Sequence, residues 1–436
     1  MTKSKRGQML LLAAVEVLGL TVWFSATAVS PALQMEWSIS SSSAVWLTAS
    51  VQIGFVCGGI ASALLTIGDR YRPHAVMCLS AFGASLTTAC LALFADDLWT
   101  AIGLRFFTGV FLAGLYPIGM KVMASWASPR QRGLAFGLLI GALTVGSGMP
   151  HLISGLAEGL PWRYIMLIAA GVTAVAGVLA GLWVRQGPYG GAATTRPKMR
   201  YAWAGFNSRP PLLANLGYFG HMWELYAFWT WLPTYLLMSK QAAGTEADPV
   251  DLGTSVFIAI GVAGLIGCLL GGWMADRWGR STAAVSALVV SGLCCIVSPM
   301  MFTVTGPLML VFLIIWGSSV IADSGVFSTS LSESVDPRYV GTALTMQTTV
   351  GFLITVITIQ LVPLAAELTS WQFAFLILVP GPVVGAVAMG LRHRANPTIS
   401  DTDPRSDQTD AAEMGTPTTM TDPVQNQSNT INEKEQ

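Results

Sequence analysis

Two carboxylates stand at matching places inside apolar runs of this chain. Glu16 and Glu224 are each followed seven residues later by a tryptophan, Trp23 and Trp231. In a helix that spacing sets carboxylate and indole nearly on one face, two turns apart. His221 lies one turn before Glu224, on nearly the same face. A carboxyl among apolar walls and an imidazole beside it can take up and release protons near neutral pH. Movement of a solute coupled to protons needs that chemistry. Arg105 and Asp323 are further ionisable groups set within apolar runs. A guanidinium in a bilayer helix costs roughly 2.5–3.5 kcal/mol on insertion scales. Arg105 is therefore expected to face water, a substrate or a carboxylate. The plainer alternatives are structural: a His221–Glu224 bond that holds one helix to its neighbour, and an arginine whose carboxylate partner ties two helices together.

These groups need a frame, and the composition says what kind. The 436 residues are 53% hydrophobic and 11% charged, against about 25% charged in soluble domains. The formal net charge is zero, which leaves nothing to attract nucleic acid. A spanning helix needs roughly 20 apolar residues. Twelve runs qualify: 9–31, 44–66, 75–94, 99–120, 133–155, 164–184, 212–237, 252–274, 282–303, 307–330, 340–362 and 372–391. The first resembles a signal peptide, but Glu16 interrupts its apolar core. With both termini in the cytoplasm, 18 basic residues up to position 396 fall in cytoplasmic segments, against Arg163 and Lys240 outside. That bias fixes the expected orientation. The six cysteines lie in apolar runs without metal-ligand spacing and read as packed free thiols.

A polar, basic, Gly- and Pro-rich stretch at 185–211 divides the chain into segments 1–184 and 212–396, six runs each. Residues 397–436 hold eight acids and two bases and almost nothing apolar. They read as a disordered cytoplasmic tail. Sliding one half over the other by 208 positions superposes Pro129-Arg130, Gly133 and Ala135 on Pro337-Arg338, Gly341 and Ala343. It also superposes Gly109 on Gly317, Glu16 on Glu224 and Trp23 on Trp231. Two parallel repeats of six helices is an architecture of secondary transporters, with the substrate site between the halves near mid-membrane.

The segment GGWMADRWGRS carries Gly272, Asp276, Arg277, Gly279 and Arg280 in the pattern G-x-x-x-D-R-x-G-R. It resembles the signature loop of the major facilitator superfamily. A reduced copy, TIGDRYRPHAV, keeps Asp69 and Arg70 but has Arg72 and Pro73 in place of the glycine and second basic residue. Arg105 followed by Gly109 resembles the family's fourth-helix motif, with Thr108 where glutamine is usual. The resemblance covers all twelve runs. It implies an all-α membrane fold of two pseudo-symmetric six-helix bundles in the cell (inner) membrane. It implies a cytoplasmic gate at Asp69, Arg70, Gly272, Asp276, Arg277, Gly279 and Arg280, where a carboxylate faces a neighbouring helix N-terminus. It also implies that the first and seventh helices line the central cavity, so that Glu16 and Glu224 face each other across it, with Trp23 and Trp231 as cavity aromatics. Gly133, Gly137 and Gly141 bare one face of the fifth run for close packing, and His151 follows near its end. YPIGMK at 116–121 loosely resembles nitrate and cyanate uptake carriers, but the nitrate signature is missing.

The resulting expectation is a proton-coupled secondary transporter of a small polar or organic solute, monomeric, working by alternating access without catalysis. No GxxxxGK[ST] loop is present, so ATP is not expected as direct fuel, and no cofactor or metal is expected. Three carboxylates to one arginine lean towards a cation, a zwitterion or a neutral solute. Export of drugs or metabolites by proton antiport, and a solute sensor on the same fold, are the alternatives.

Overall fold

A chain segment in lipid must satisfy its backbone polar groups within itself, which makes apolar runs of this length helical. The computed structural model describes residues 4–65, 67–128, 132–157, 159–189, 206, 208–336 and 340–395. The tail at 397–436, linker residues 190–205, Pro129-Arg130 and Pro337-Arg338 lie outside the described residues, as does the side chain of Asp69.

The main helices are α1 (Lys5–Leu20), α2 (Trp46–Leu64), α3 (Pro73–Phe94), α4 (Leu98–Leu112), α5 (Tyr116–Trp126), α6 (Arg132–Leu156) and α7 (Trp162–Trp183). After the linker come α8 (Arg209–Ala242), α9 (Pro249–Phe257), α10 (Ala263–Trp278), α11 (Arg280–Met301), α12 (Pro307–Ser319), α13 (Ser324–Ser334), α14 (Val340–Leu368) and α15 (Pro380–Ala395). Asp97 caps α4. The Thr100 hydroxyl at 2.6 Å, and then the amides of Thr100 and Trp99, hold its carboxyl below the usual carboxylate range.

Among the described residues, ten spans are long and apolar enough to cross a membrane. The runs at 9–31 and 212–237 fall outside that set although both are helical. α1 ends at Leu20, where the chain turns through 21–24. α8 runs for 34 residues with Pro233 inside it, and His221, Glu224 and its aromatic side chains lower its hydropathy. The spans Leu98–Trp126 and Pro307–Ser334 are both broken, at 113–115 and at 320–323. The 208-residue offset carries the first break onto the second.

The same offset relates contacts as well as letters. A methyl group on Gly109 would overlap the carbonyl oxygen of Val51, and one on Gly317 would overlap that of Ala259. Both members of this pair shift by 208. Helix backbones approach this closely only over glycine. Gly109→Ala and Gly317→Ala are each expected to cost about 1–3 kcal/mol through overpacking, read as a lowered thermal midpoint in detergent.

Elements before the linker meet those after it along two seams. α2 packs on α14, and α6 packs on α9 and α10. The second seam uses the bare face predicted at 133, 137 and 141. A Cβ on Gly137 would lie 3.2 Å from the Cys268 carbonyl oxygen, and one on Gly141 would strike Leu265.

Candidate functional site

α8 holds two ionisable side chains a turn apart, and the structure sends them to different neighbours. Glu224 Oε1 accepts hydrogen bonds from Ser291 Oγ at 2.5 Å, Trp316 Nε1 at 2.8 Å and Cys295 Sγ at 3.2 Å. Its partners thus come from α11 and α12. His221 Nδ1 lies 2.8 Å from Asp323 Oδ1, and its Nε2 lies 2.9 Å from Ser324 Oγ. The Asp323 contact has ion-pair distance without an aligned hydrogen bond. Both groups of the pair are buried. Asp323 stands at the break between α12 and α13, as the residue before α13 begins. The His221–Glu224 bond considered from sequence is not made.

Glu16 is also fully buried, and neither carboxylate oxygen has a hydrogen-bond partner. It presses on Gly119 of α5, where a methyl group would overlap Oε1, with Met77 of α3 beside it. The sequence suggests that Glu16 and Glu224 face each other across a cavity. The structure turns each glutamate into its own surroundings instead: Glu16 towards α3 and the Leu98–Trp126 span, Glu224 towards α11 and the Pro307–Ser334 span. Under the 208 offset these are corresponding elements. The repeat is therefore visible in where the acids are buried.

Arg105 is fully buried and, among the described residues, is paired with no carboxylate. Its Nε donates to the Leu47 carbonyl at 3.1 Å, Nη1 to the Val22 carbonyl at 2.8 Å and to Ser25 Oγ at 3.4 Å, and Nη2 to the Trp23 carbonyl. The turn at 21–24 leaves carbonyls without helical partners, and the guanidinium fork bonds them. Water, substrate and carboxylate were the partners that the sequence allowed for Arg105. A break within the first run could not be read from apolar letters.

That break also separates Glu16 from Trp23, which lies in the turn rather than on the α1 stripe. Trp23 packs on Phe55 at 5.1 Å and on Tyr226 and Phe352 at 5.9 Å. Trp231 stays on α8, donates from Nε1 to the Ile359 carbonyl at 2.7 Å, and lines a cavity of about 510 Å³. His151, Ser154, Thr27, Thr48, Thr230 and Trp162 line it too. Among the described residues lining it there is no Asp, Glu, Lys or Arg. Exposed Met35 and Leu160 stand at its rim. His151 is buried, and its Nε2 has no partner.

The opposite ends of the same helices carry the charged loop. Gly279 has φ 87°, a left-handed value suited to glycine, and joins α10 to α11. The Asp276 carboxylate reaches the first turn of α6: both its oxygens would lie 3.5 Å from a Cβ on Gly133. Gly272 packs against the same turn. Arg280 pairs with Glu333 of α13. Arg277 is exposed, and Arg70 lies over the Tyr71 ring at 5.6 Å. Sequence reasoning also missed Ser291, Cys295 and Trp316. Only their proximity to Glu224 marks them, and no spacing rule reveals it.

The family model described as Major Facilitator Superfamily matches residues 11–359. The chain is 26% identical over 261 residues to a D-galactonate transporter of Escherichia coli O6:H1, covering 51% of this chain. That match spans 58% of the relative's own length, under two thirds. It is 24% identical over 401 residues to a gentisate transporter of Corynebacterium glutamicum, covering 86% of this chain and 84% of the relative. Among solved structures it resembles a bacterial homolog of the human lysosomal transporter Spinster, in an inward-facing and unoccupied conformation. The TM-score is 0.65 at 16% identity, over 90% of this chain and 97% of the other. At that identity the likeness speaks for the fold alone.

Proposed function

Because the chain belongs to the major facilitator superfamily, and is thus a multi-pass membrane protein, we propose that it is a proton-coupled secondary transporter of a small organic acid. In this reading twelve helices form two bundles, 1–184 and 212–396, with both termini cytoplasmic, and the monomer works by alternating access. The observation that carries the coupling is the buried His221–Asp323 pair. Ionisable groups inside a membrane are expensive and are retained where they do work. One proton on Asp323 removes the charge that holds His221, and the two groups join α8 to the break before α13. Proton binding and helix movement are thereby linked. Glu16 supports the same idea. An ionised carboxylate without a partner is too costly to bury, so its position here suits the protonated acid. Its release would require the group to reach water in another conformation. Glu224, with three donors on one oxygen, is the more firmly held of the two.

The substrate class differs from the cation-leaning expectation. Glu16, Glu224 and Asp323 are spent on internal contacts and do not line the cavity. The two relatives are named for carboxylates, galactonate and gentisate. Both facts favour an organic anion. The cavity lies at the end of the molecule away from the Asp276 and Arg280 contacts, so this conformation corresponds to a closed cytoplasmic gate. Asp276→Asn weakens one charge–dipole contact, worth about 1 kcal/mol, at the N-terminus of α6. It is expected to lower uptake about fivefold and to speed labelling of a cysteine placed at position 133 by a membrane-impermeant reagent.

The test of the whole reading is uptake by proteoliposomes under an imposed pH gradient, with radiolabelled galactonate, gentisate and nicotinate. Accumulation that collapses on adding a protonophore is the expected result. Uptake of the same size with and without the gradient removes the coupling. No uptake of any of the three acids removes the substrate class.

A further inference from the structure

Six aromatic rings close the space around the turn at 21–24. Beyond the Trp23 contacts with Phe55, Tyr226 and Phe352, Trp229 lies 5.4 Å from Tyr226 and 5.9 Å from Phe24. These rings come from both sides of the linker. Three side-chain N–H groups in this cluster are buried without a hydrogen-bond partner: Trp23 Nε1, Trp229 Nε1 and Gln52 Nε2. Gln52 sits one turn before Phe55 on α2. Its Oε1 accepts from the Thr355 hydroxyl of α14, a turn from Phe352. The Thr355 hydroxyl also meets the Phe352 carbonyl at 2.7 Å, and the Gln52 NH₂ has no partner among the described residues.

Buried donors are almost always bonded, and each one left alone costs about 1–3 kcal/mol. Three in one cluster are donors that a bound acceptor would satisfy. All three can only donate, so the complementary group is a pure acceptor. The surrounding rings call for a flat apolar body behind that acceptor. The cavity does not include the rings themselves, but its lining adjoins them along the chain. Thr48, a turn before Gln52, and Thr230 and Trp231, next to Trp229, line it. Arg105 lies behind the cluster, bonded to the backbone carbonyl of Trp23 itself, and puts positive charge on that side.

We propose that Gln52, Trp23 and Trp229 are the carboxylate-recognition groups of this chain, and that its substrate is an aromatic monocarboxylate whose ring stacks among Phe55, Tyr226 and Phe352. This rests on the transport reading above and narrows it. The ring cluster is then the collapsed form of the site. A ligand entering from the cavity parts the rings and completes the three donors.

The test uses the full chain purified in detergent, with the thermal midpoint followed against benzoate, benzamide and gluconate. Benzoate is expected to raise the midpoint saturably. Benzamide, without the charge, and gluconate, without the ring, are expected to need at least about tenfold higher concentration. Gln52→Leu and Trp229→Phe should each weaken benzoate about tenfold, while Trp278→Phe, far from the cluster, leaves it unchanged. Should Gln52→Leu not fold, Gln52→Glu keeps an acceptor for Thr355 and opposes an anion, so it must abolish benzoate binding. Benzamide as effective as benzoate, no benzoate effect at all, or unaltered binding in both Gln52 and Trp229 variants overturns the proposal. A protein that accumulates an acid but ignores these substitutions keeps the transport reading and loses this site. Benzoate binding that depends on Gln52, without flux of any acid, does the reverse.

Discussion

Asp323→Asn is expected to abolish uphill accumulation of substrate while leaving substrate-for-substrate exchange intact. The amide fills the same space before α13 and still faces His221. What it cannot do is gain or lose a proton. Position 323 would then stay neutral through the whole cycle, and the step that links its protonation to movement of α8 against α13 would be gone. Gradient-driven uptake should fall by about a hundredfold, the lower end of what a positioned proton-transfer group contributes. Counterflow measured in the same liposomes should stay near the level of the unaltered protein, because exchange needs only the loaded conformations. Accumulation equal to that of the native chain would remove Asp323 from the coupling. Loss of both modes, with a lowered thermal midpoint, would make the pair a structural tie between two helices.

Arg105→Met is expected to cost the fold rather than the transport step. The side chain bonds three backbone carbonyls, those of Val22, Trp23 and Leu47. Each buried acceptor left unpaired costs about 1–3 kcal/mol. The Val22 and Leu47 carbonyls keep Ser25 and Ser50 as donors, so the Trp23 carbonyl is the acceptor left alone, and its loss is a sizeable share of the roughly 5–15 kcal/mol that separates folded from unfolded protein in ordinary domains. Recovery of monodisperse protein from detergent should fall steeply. Arg105→Lys should rescue only part of it. An ammonium carries three donors on a compact head, but it lacks the planar fork that reaches carbonyls on two segments at once. A well-folded Arg105→Met protein that binds substrate poorly would return this residue to the substrate site.

The repeat was the most legible feature of the sequence. The 208-residue offset links Glu16 to Glu224 and Gly109 to Gly317, and it holds in the structure down to the carbonyls of Val51 and Ala259. It holds because glycine at a backbone approach and an acid in an apolar helix each leave a mark in one-letter code. The partners of those residues leave none. His221 and Glu224 are three apart, which reads as one face. Yet 3.6 residues per turn set them about 60° apart around the axis, and on a helix packed on several sides that angle separates α13 from α11. Arg105 was expected to meet water, a substrate or a carboxylate because the turn at 21–24 lies in the run LTVWFSAT, whose letters suit a continuous helix. The unpaired donors of Gln52 and Trp229 were invisible for the same reason. An orphan is defined by what surrounds it, and the surroundings come from four different helices.

Glu224 and Asp323 share one further property: each sits near the middle of the helical segment that carries it. A voltage across the bilayer drops along that same direction. One elementary charge carried through a full drop of 100 mV changes in energy by about 2.3 kcal/mol, so a proton travelling halfway to such a group feels about half of it. A monovalent acid that enters with one proton brings in no net charge, and its accumulation ignores the voltage. Each additional proton makes entry electrogenic. The number of protons per cycle can therefore be read as a current, from the charge that substrate moves across a voltage-clamped membrane.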